Sequence, residues 1–161
     1  MSTSAFIGLG ANLADPGAQV LRALDELAHL PHCALVARSS LWRSAPVGYA
    51  DQPEFINAVA QVESTLTADE LLDALQKVET SHARVRSFAN APRTLDLDLL
   101  LFGDEVRATP RLTLPHPRMH ERAFVLKPLL EIAPDAQIPG HGSAADCLGA
   151  LAGQPCEKVG G

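Results

Sequence analysis

The sequence predicts an α+β fold of the ferredoxin-like kind: a βαββαβ chain with helices on one face of an antiparallel sheet, plus peripheral elements at its C-terminal end. Three observations predict it. Leu95, Leu97 and Leu99 alternate with Thr94, Asp96 and Asp98, the period of a strand with one buried face. Two helix starts, Asp15-Pro16 and Thr67-Ala68-Asp69-Glu70, each lead into apolar residues at helical spacing. The segments then run strand, helix, strand, strand, helix, strand, which is the order of this fold.

In chain order, Ala5-Phe6-Ile7-Gly8-Leu9-Gly10 reads as a short buried strand ending in a glycine turn. Gly8 and Gly10 do not open a dinucleotide loop, because Leu13 stands where a third glycine is needed, and no GxxxxGK[ST] phosphate loop occurs. The first helix takes Asp15 as N-cap and Pro16 as its first residue. It offers Val20, Leu21, Leu24, Leu27 and Ala28 as its apolar stripe and closes before Pro31. Cys33 to Trp42 has strand character. Residues 43–53, rich in Pro and Gly, read as an exposed connection longer than usual, which points to function. Phe55 to Val62 is the next strand, with Phe55, Asn57 and Val59 on one face. Phe55 offers a stacking surface and Asn57 both donors and acceptors, a pair able to read a flat heterocycle. A hydrogen-bonded strand end beside a core Phe is the simpler reading of the same residues.

Thr67 and Glu70 form a capping box for a helix to about Ser81 that buries Leu71, Leu72, Leu75 and Val78. Gln76 and Glu79, three apart, share a face that reads as an exposed polar one. Residues 84–92 form a second breaker-rich loop directly before the Asp96/Asp98 strand. Loops flanking one sheet in this way suit lids that close over a substrate. His116 and His120 are four apart, but Pro117 puts His116 in a turn rather than on a helix, which argues against a zinc site. Phe124 to Pro134 reads as a helix packed on the core. A weaker helix follows near Ala144–Leu151, and the last few residues are expected to be a disordered tail.

With 161 residues the chain is most simply one domain, 1–161, with enough length to bury a core. Apolar residues make up 47%, but no run reaches the roughly 18 of a membrane span, and no secretory leader is visible. Three widely spaced cysteines, Cys33, Cys147 and Cys156, argue against a disulfide framework and for a reducing, cytoplasmic setting. The net charge of −6 argues against a general nucleic-acid binder. The charge is uneven, however: residues 84–127 hold eight Lys/Arg against five acids, whereas residues 1–83 hold four against ten. A local basic patch around fixed carboxylates fits a small polyanion and its metal.

The chemistry centres on Asp96 and Asp98. On one strand face they stand roughly 6–7 Å apart. Two carboxylates held side by side repel and call for a cation; Mg²⁺, held by one or two carboxylates plus substrate phosphates, is the natural one. Arg84, Arg86 and Arg93 lie just before them in sequence. Metal plus guanidinium is the equipment for stabilising charge on a transferring phosphoryl group. The plain alternative is a solvated strand face that carries two aspartates.

Phe55-x-Asn57, Arg93-Thr94-Leu95-Asp96-Leu97-Asp98-Leu99 and Pro115-His116-x-x-Met119-x-x-Arg122-x-Phe124 resemble the 6-hydroxymethyl-7,8-dihydropterin pyrophosphokinases of folate biosynthesis, over about residues 5–135. The resemblance implies a monomeric ferredoxin-like enzyme. It would transfer the terminal pyrophosphoryl group of ATP to the hydroxymethyl oxygen of the pterin and release AMP. It implies two Mg²⁺ on Asp96 and Asp98, with Arg84 and Arg93 beside them as catalytic groups. ATP would be held by Gln76, Arg84, Arg86, Arg93, Leu99, Arg111, Thr113, His116 and Arg122. Phe55 and Phe124 would sandwich the pterin, and Asn57 with the segment of Ser44, Pro46, Val47 and Gly48 would read its polar edge. Three departures stand out: no tryptophan precedes Pro92-Arg93 in a loop one residue shorter, Pro117 follows the histidine where some members have tyrosine, and Ser44-Ala45-Pro46 replaces a Pro-Pro pair. Two other classes compete, a two-metal phosphodiesterase and a non-catalytic ferredoxin-like ligand-binding module in which Asp96 and Asp98 are merely solvated.

Overall fold

The computed structural model describes residues 2–11, 16–44, 55–83, 95–151, 154 and 156–159. β1 (Thr3–Ala11) is the central strand, and it pairs antiparallel with β4 (Phe55–Ser64) on one side and β5 (Asp96–Phe102) on the other. β2 (Cys33–Arg38) and β3 (Trp42–Ser44) share the far edge of β4. With α1 (Pro16–Ala28) after β1 and α2 (Ala68–Ala83) after β4, this is the ferredoxin-like order expected from the sequence.

The second strand position is broken in two, where the sequence suggested one strand from Cys33 to Trp42. The ladder is bridged at the break by Ser39: its backbone N–H donates to the Val59 carbonyl at 2.9 Å, and its hydroxyl accepts from Val59 N at 2.9 Å. The buried strand groups thus keep partners although the strand is interrupted.

One face of the sheet carries α1 and α2. Ala5, Ile7 and Leu9 of β1 pack there with Val20, Leu24, Leu27, Leu71, Leu75, Leu97 and Leu99. The α1 stripe is Val20, Ala23, Leu24 and Leu27; Leu21 and Ala28, expected inward, are exposed (Leu21 47%), because they sit on the flank of the helix that turns to water. The capping box of α2 is complete, with Glu70 N donating to Thr67 Oγ1 at 3.2 Å and Thr67 N to Glu70 Oε1 at 2.9 Å.

The C-terminal elements are more than peripheral, because they cover the second face. There α3 (Ala123–Ile132) and α4 (Ala144–Gly149) pack over Val59, Leu100 and Leu101 with Met119, Leu126 and Leu129. Two short hairpins, β6 (Arg107–Ala108) with β7 (Thr113–Leu114) and β8 (Gln137–Ile138) with β9 (Gly142–Ser143), connect these parts. β10 (Cys156–Lys158) pairs antiparallel with β3 and extends the sheet, an edge strand the sequence did not predict; the last two residues of the tail lie outside the described residues. The cysteines are free thiols. Among the described residues no helix is long and apolar enough to cross a membrane.

Candidate active site

Register places the site. Facing residues of an antiparallel pair project to the same side. Asn57 of β4 faces Gly10 of β1, and Gly10 faces Asp96 of β5; one row back, Val59, Gly8 and Asp98 are aligned in the same way. All six lie on the face that α3 and α4 partly cover. With strands about 4.8 Å apart, Asn57 and Asp96 stand roughly 10 Å from each other across Gly10. The central strand has no side chain at Gly10, so the floor between the amide and the carboxylate is bare backbone. Gly10, which fails as part of a dinucleotide loop, instead supplies bare backbone between two candidate site residues.

At the β4 side Asn57 is 4% exposed and its Nδ2 donates to the hydroxyl of Ser44 at 2.8 Å. Ser44 faces Phe55 in the β3–β4 ladder, so Ser44, Phe55 and Asn57 come together at one end of the sheet. Phe124 lies near the start of α3, which packs on the same face, and the Arg122 guanidinium carbon sits 5.5 Å from the centre of the Phe124 ring.

At the β5 side a pocket of about 220 Å³ is lined by Asp98, Leu99, Arg111, Thr113 and His116, with Leu72 and Leu97. His116 is pinned to the strand by its backbone N–H, which donates to the Leu100 carbonyl at 2.9 Å. Its Nδ1 accepts from Arg118 N at 3.2 Å, which leaves the neutral ring's proton on Nε2, the nitrogen 4.0 Å from Asp98 Oδ1. Burial pushes the His116 imidazole below its ordinary range; Asp98 opposes that shift, and Arg122 and Arg118 reinforce it.

Arg111 pairs with Asp73 and lies 4.0 Å from Asp69, and Arg107 pairs with Asp69 at 2.6 Å. Two of the arginines counted in the basic stretch are thus partly neutralised by α2. Gln76 does not line the β5 pocket. It lies on the exposed side of α2, in a groove it shares with Asp73 and Thr80. Arg84, Arg86, Arg93, Pro46, Val47 and Gly48 lie outside the described residues, as do the expected loops at 45–53 and 84–92; Arg43 and Ser44, expected in the first loop, belong to β3.

Glu79 is not simply part of an exposed polar face. Its Oε2 accepts from the backbone N–H of Leu97 at 2.8 Å, between the two aspartates on the outer edge of β5. The sequence holds one hint: Glu79 lies seven residues, about two turns, after Leu72 and so borders the apolar stripe.

Asp96 and Asp98 are suited to Mg²⁺. They alternate on an edge strand, and the Asp98 side chain is 45% exposed, so water and phosphate oxygens have access to complete an octahedron. Among the described residues no cluster of three His, Cys, Asp or Glu forms a closed protein cage.

Residues 6–134 match the family described as 7,8-dihydro-6-hydroxymethylpterin-pyrophosphokinase (HPPK). The chain belongs to the HPPK family. It is 46% identical over 156 residues to the 2-amino-4-hydroxy-6-hydroxymethyldihydropteridine pyrophosphokinase of Pseudomonas aeruginosa, a match covering 97% of this chain and 96% of that one. It is likewise 46% identical over 136 residues to the enzyme of the same name from Haemophilus influenzae, covering 84% and 85% of the two chains. The crystal structure of wild-type Plasmodium falciparum HPPK-DHPS with pteroate matches 92% of this chain with a TM-score of 0.73 at 12% identity. This chain spans 42% of that longer chain, and the likeness is one of fold.

Proposed function

We propose that this HPPK-family chain transfers the pyrophosphoryl group of ATP to the hydroxymethyl oxygen of 6-hydroxymethyl-7,8-dihydropterin, with the pterin on the Asn57 side of Gly10 and ATP on the Asp98 side. The observation that carries the assignment is the row Asn57–Gly10–Asp96. It sets a polar amide beside Phe55 across bare backbone from a carboxylate pair.

In this reading Phe55 and Phe124 stack on the two faces of the pterin ring, and the Asn57 amide hydrogen-bonds its polar edge, held in orientation by Ser44. Leu99, Arg111 and Thr113 line the nucleoside side, and His116 and Arg122 face the phosphates, joined by Arg84, Arg86 and Arg93; Gln76, expected on the nucleoside side, lies in the neighbouring α2 groove and takes no part in this reading. Asp96 and Asp98 hold two Mg²⁺, which supply positive charge to the phosphate oxygens when bound. The hydroxymethyl oxygen bonds to the β-phosphorus, the bond from that phosphorus to the α,β-bridging oxygen breaks, AMP leaves, and the hydroxyl proton is released. Positioning the two substrates and stabilising charge carry the rate. Free thiols fit a reducing, cytoplasmic setting, and the chain acts as a monomeric single domain.

The test is AMP formation from ATP and Mg²⁺ with and without the pterin. Pterin-dependent AMP with pyrophosphorylated pterin is the expected result. ADP would mean attack at the γ-phosphorus, and no turnover by folded protein would favour the binding module.

A further inference from the structure

The residues that line the pterin side sit on two elements, β3–β4 below and the start of α3 above, and one short stretch touches both. The start of α3 is weakly held by its own sequence. Arg122 is extended (φ −122°, ψ 110°), between the 3-10 turn Met119–Glu121 and the helix, and it provides no side-chain cap. The N–H of Ala123 is one of the first-turn donors that a helix cannot satisfy internally. It donates instead to Gln154 Oε1 at 2.9 Å, and Gln154 Nε2 donates to the Glu121 carbonyl at 3.0 Å. A single amide thus grips the backbone on both sides of Arg122, and Phe124 follows one residue later with the Arg122 guanidinium against its ring.

Beyond Gln154 the chain forms β10. Cys156 faces Ser44 in the β3 ladder, and the Cys156 carbonyl accepts from Lys127 Nζ of α3 at 2.8 Å. The same stretch is therefore fastened to the helix that carries Phe124 and to the strand whose hydroxyl orients Asn57. Gln154 makes both contacts from an exposed position, where burial of its side chain contributes little to stability.

We propose that Gln154 is a positioning residue for pterin binding: its amide clamps residues 121–123 and so fixes the height of Phe124 over the sheet. The proposal rests on the reading of Phe124 as one wall of the pterin site, and the experiment separates the two. Gln154→Ala, Gln154→Glu, Phe124→Ala and the double variant Gln154→Ala/Phe124→Ala are assayed for pterin-dependent AMP formation, with thermal melts confirming that each is folded at the assay temperature.

Gln154→Ala raises the KM for pterin by about three- to tenfold, the range that one or two lost hydrogen bonds give, with kcat changed less. Gln154→Glu keeps the acceptor for Ala123 N, loses the donor to Glu121, and falls in between. In the Phe124→Ala background the Gln154→Ala change adds less than about twofold, because the group it positions is already gone. A lowered melting temperature with unchanged pterin KM would reduce Gln154 to a stability role and overturn the proposal. So would full additivity in the double variant. An unchanged pterin KM in Phe124→Ala alone would instead remove the stacking wall, and the proposal would fall with it.

Discussion

The Asn57 amide nitrogen lies 2.8 Å from Ser44 Oγ, and the carbonyl oxygen of the same amide is turned the other way, over Gly10. A β-carbon built on Gly10 would come within 3.2 Å of that oxygen. The amide has little room to yield, because it is buried and anchored at its far end. Gly10 is thus required by the side chain opposite it, not by an unusual backbone conformation.

Gly10→Ala tests this. A few tenths of an ångström of displacement rotates the Asn57 oxygen away from the pterin edge proposed to meet it and fills part of the floor. The expected result is a rise in pterin KM of about tenfold, the loss of one well-placed hydrogen bond, at a stability cost of about 1 kcal/mol. Equilibrium binding of an ATP analogue should stay within about twofold, since the pocket by Asp98 is a strand away. Equal loss of both ligands would show that the substitution disturbs the sheet rather than the pterin floor.

Asp98 and Asp96 are predicted to act through charge rather than through the fold. Each projects from an edge strand toward solvent, and Asp98 is 45% exposed on its side chain, so Asn is accommodated sterically. Asp98→Asn should lower kcat by about a thousandfold or more while the melting temperature changes by only a few degrees, because transition-state charge stabilisation is worth several kcal/mol. Chelating Mg²⁺ should abolish turnover of the parent enzyme. Near-normal turnover in the variant would return the pair to a solvated strand face.

How much of this was legible in the sequence depends on the range of the interaction. The strand period at Leu95–Leu99 and the Thr67–Glu70 capping box are local, and both appear as written. The role of Gly10 was invisible because it depends on Asn57, 47 residues away, and on a register that no single strand carries. The C-terminal strand was missed for a similar reason: Cys156-Glu157-Lys158 has no period of its own and becomes a strand by pairing with Trp42–Ser44. Glu79 looked like solvent-facing polarity because the Leu97 N–H it accepts from is a main-chain group, which leaves no mark in a sequence; only its place beside the apolar stripe pointed inward.

Glu79 gives the third prediction. Its carboxylate holds the Leu97 N–H at 2.8 Å, the peptide flanked by both candidate metal ligands. Partners that orient metal ligands typically contribute ten- to hundredfold in metal affinity. Glu79→Gln should therefore raise the Mg²⁺ concentration for half-maximal AMP formation by about tenfold, with pterin KM little changed. An unaltered Mg²⁺ requirement alongside a lowered melting temperature would confine Glu79 to tying α2 to β5.

Glu131 gives the last, a prediction about acid stability. Its carboxylate accepts from Ser40 N at 3.0 Å, Ser40 Oγ at 2.7 Å and Trp42 Nε1 at 2.9 Å, and Lys158 Nζ lies 3.8 Å away. Burial pushes this carboxyl upward, but the hydrogen bonds from Ser40 and Trp42 and the Lys158 charge outweigh it and hold the group below its ordinary range. A carboxylate depressed in the folded state binds protons more readily once unfolded. Its stabilisation is therefore present above the unfolded value, about 4.3 for Glu, and is lost as pH falls through the lower folded value. Glu131→Gln should cost about 1 kcal/mol at pH 7, a modest figure because water reaches the pair, and the deficit should shrink as the pH is taken down toward about 3. Urea unfolding of both proteins across that span measures the difference directly. A deficit that stays constant with pH would mean that shape and neutral hydrogen bonding, not the carboxylate charge, join α3 to β3.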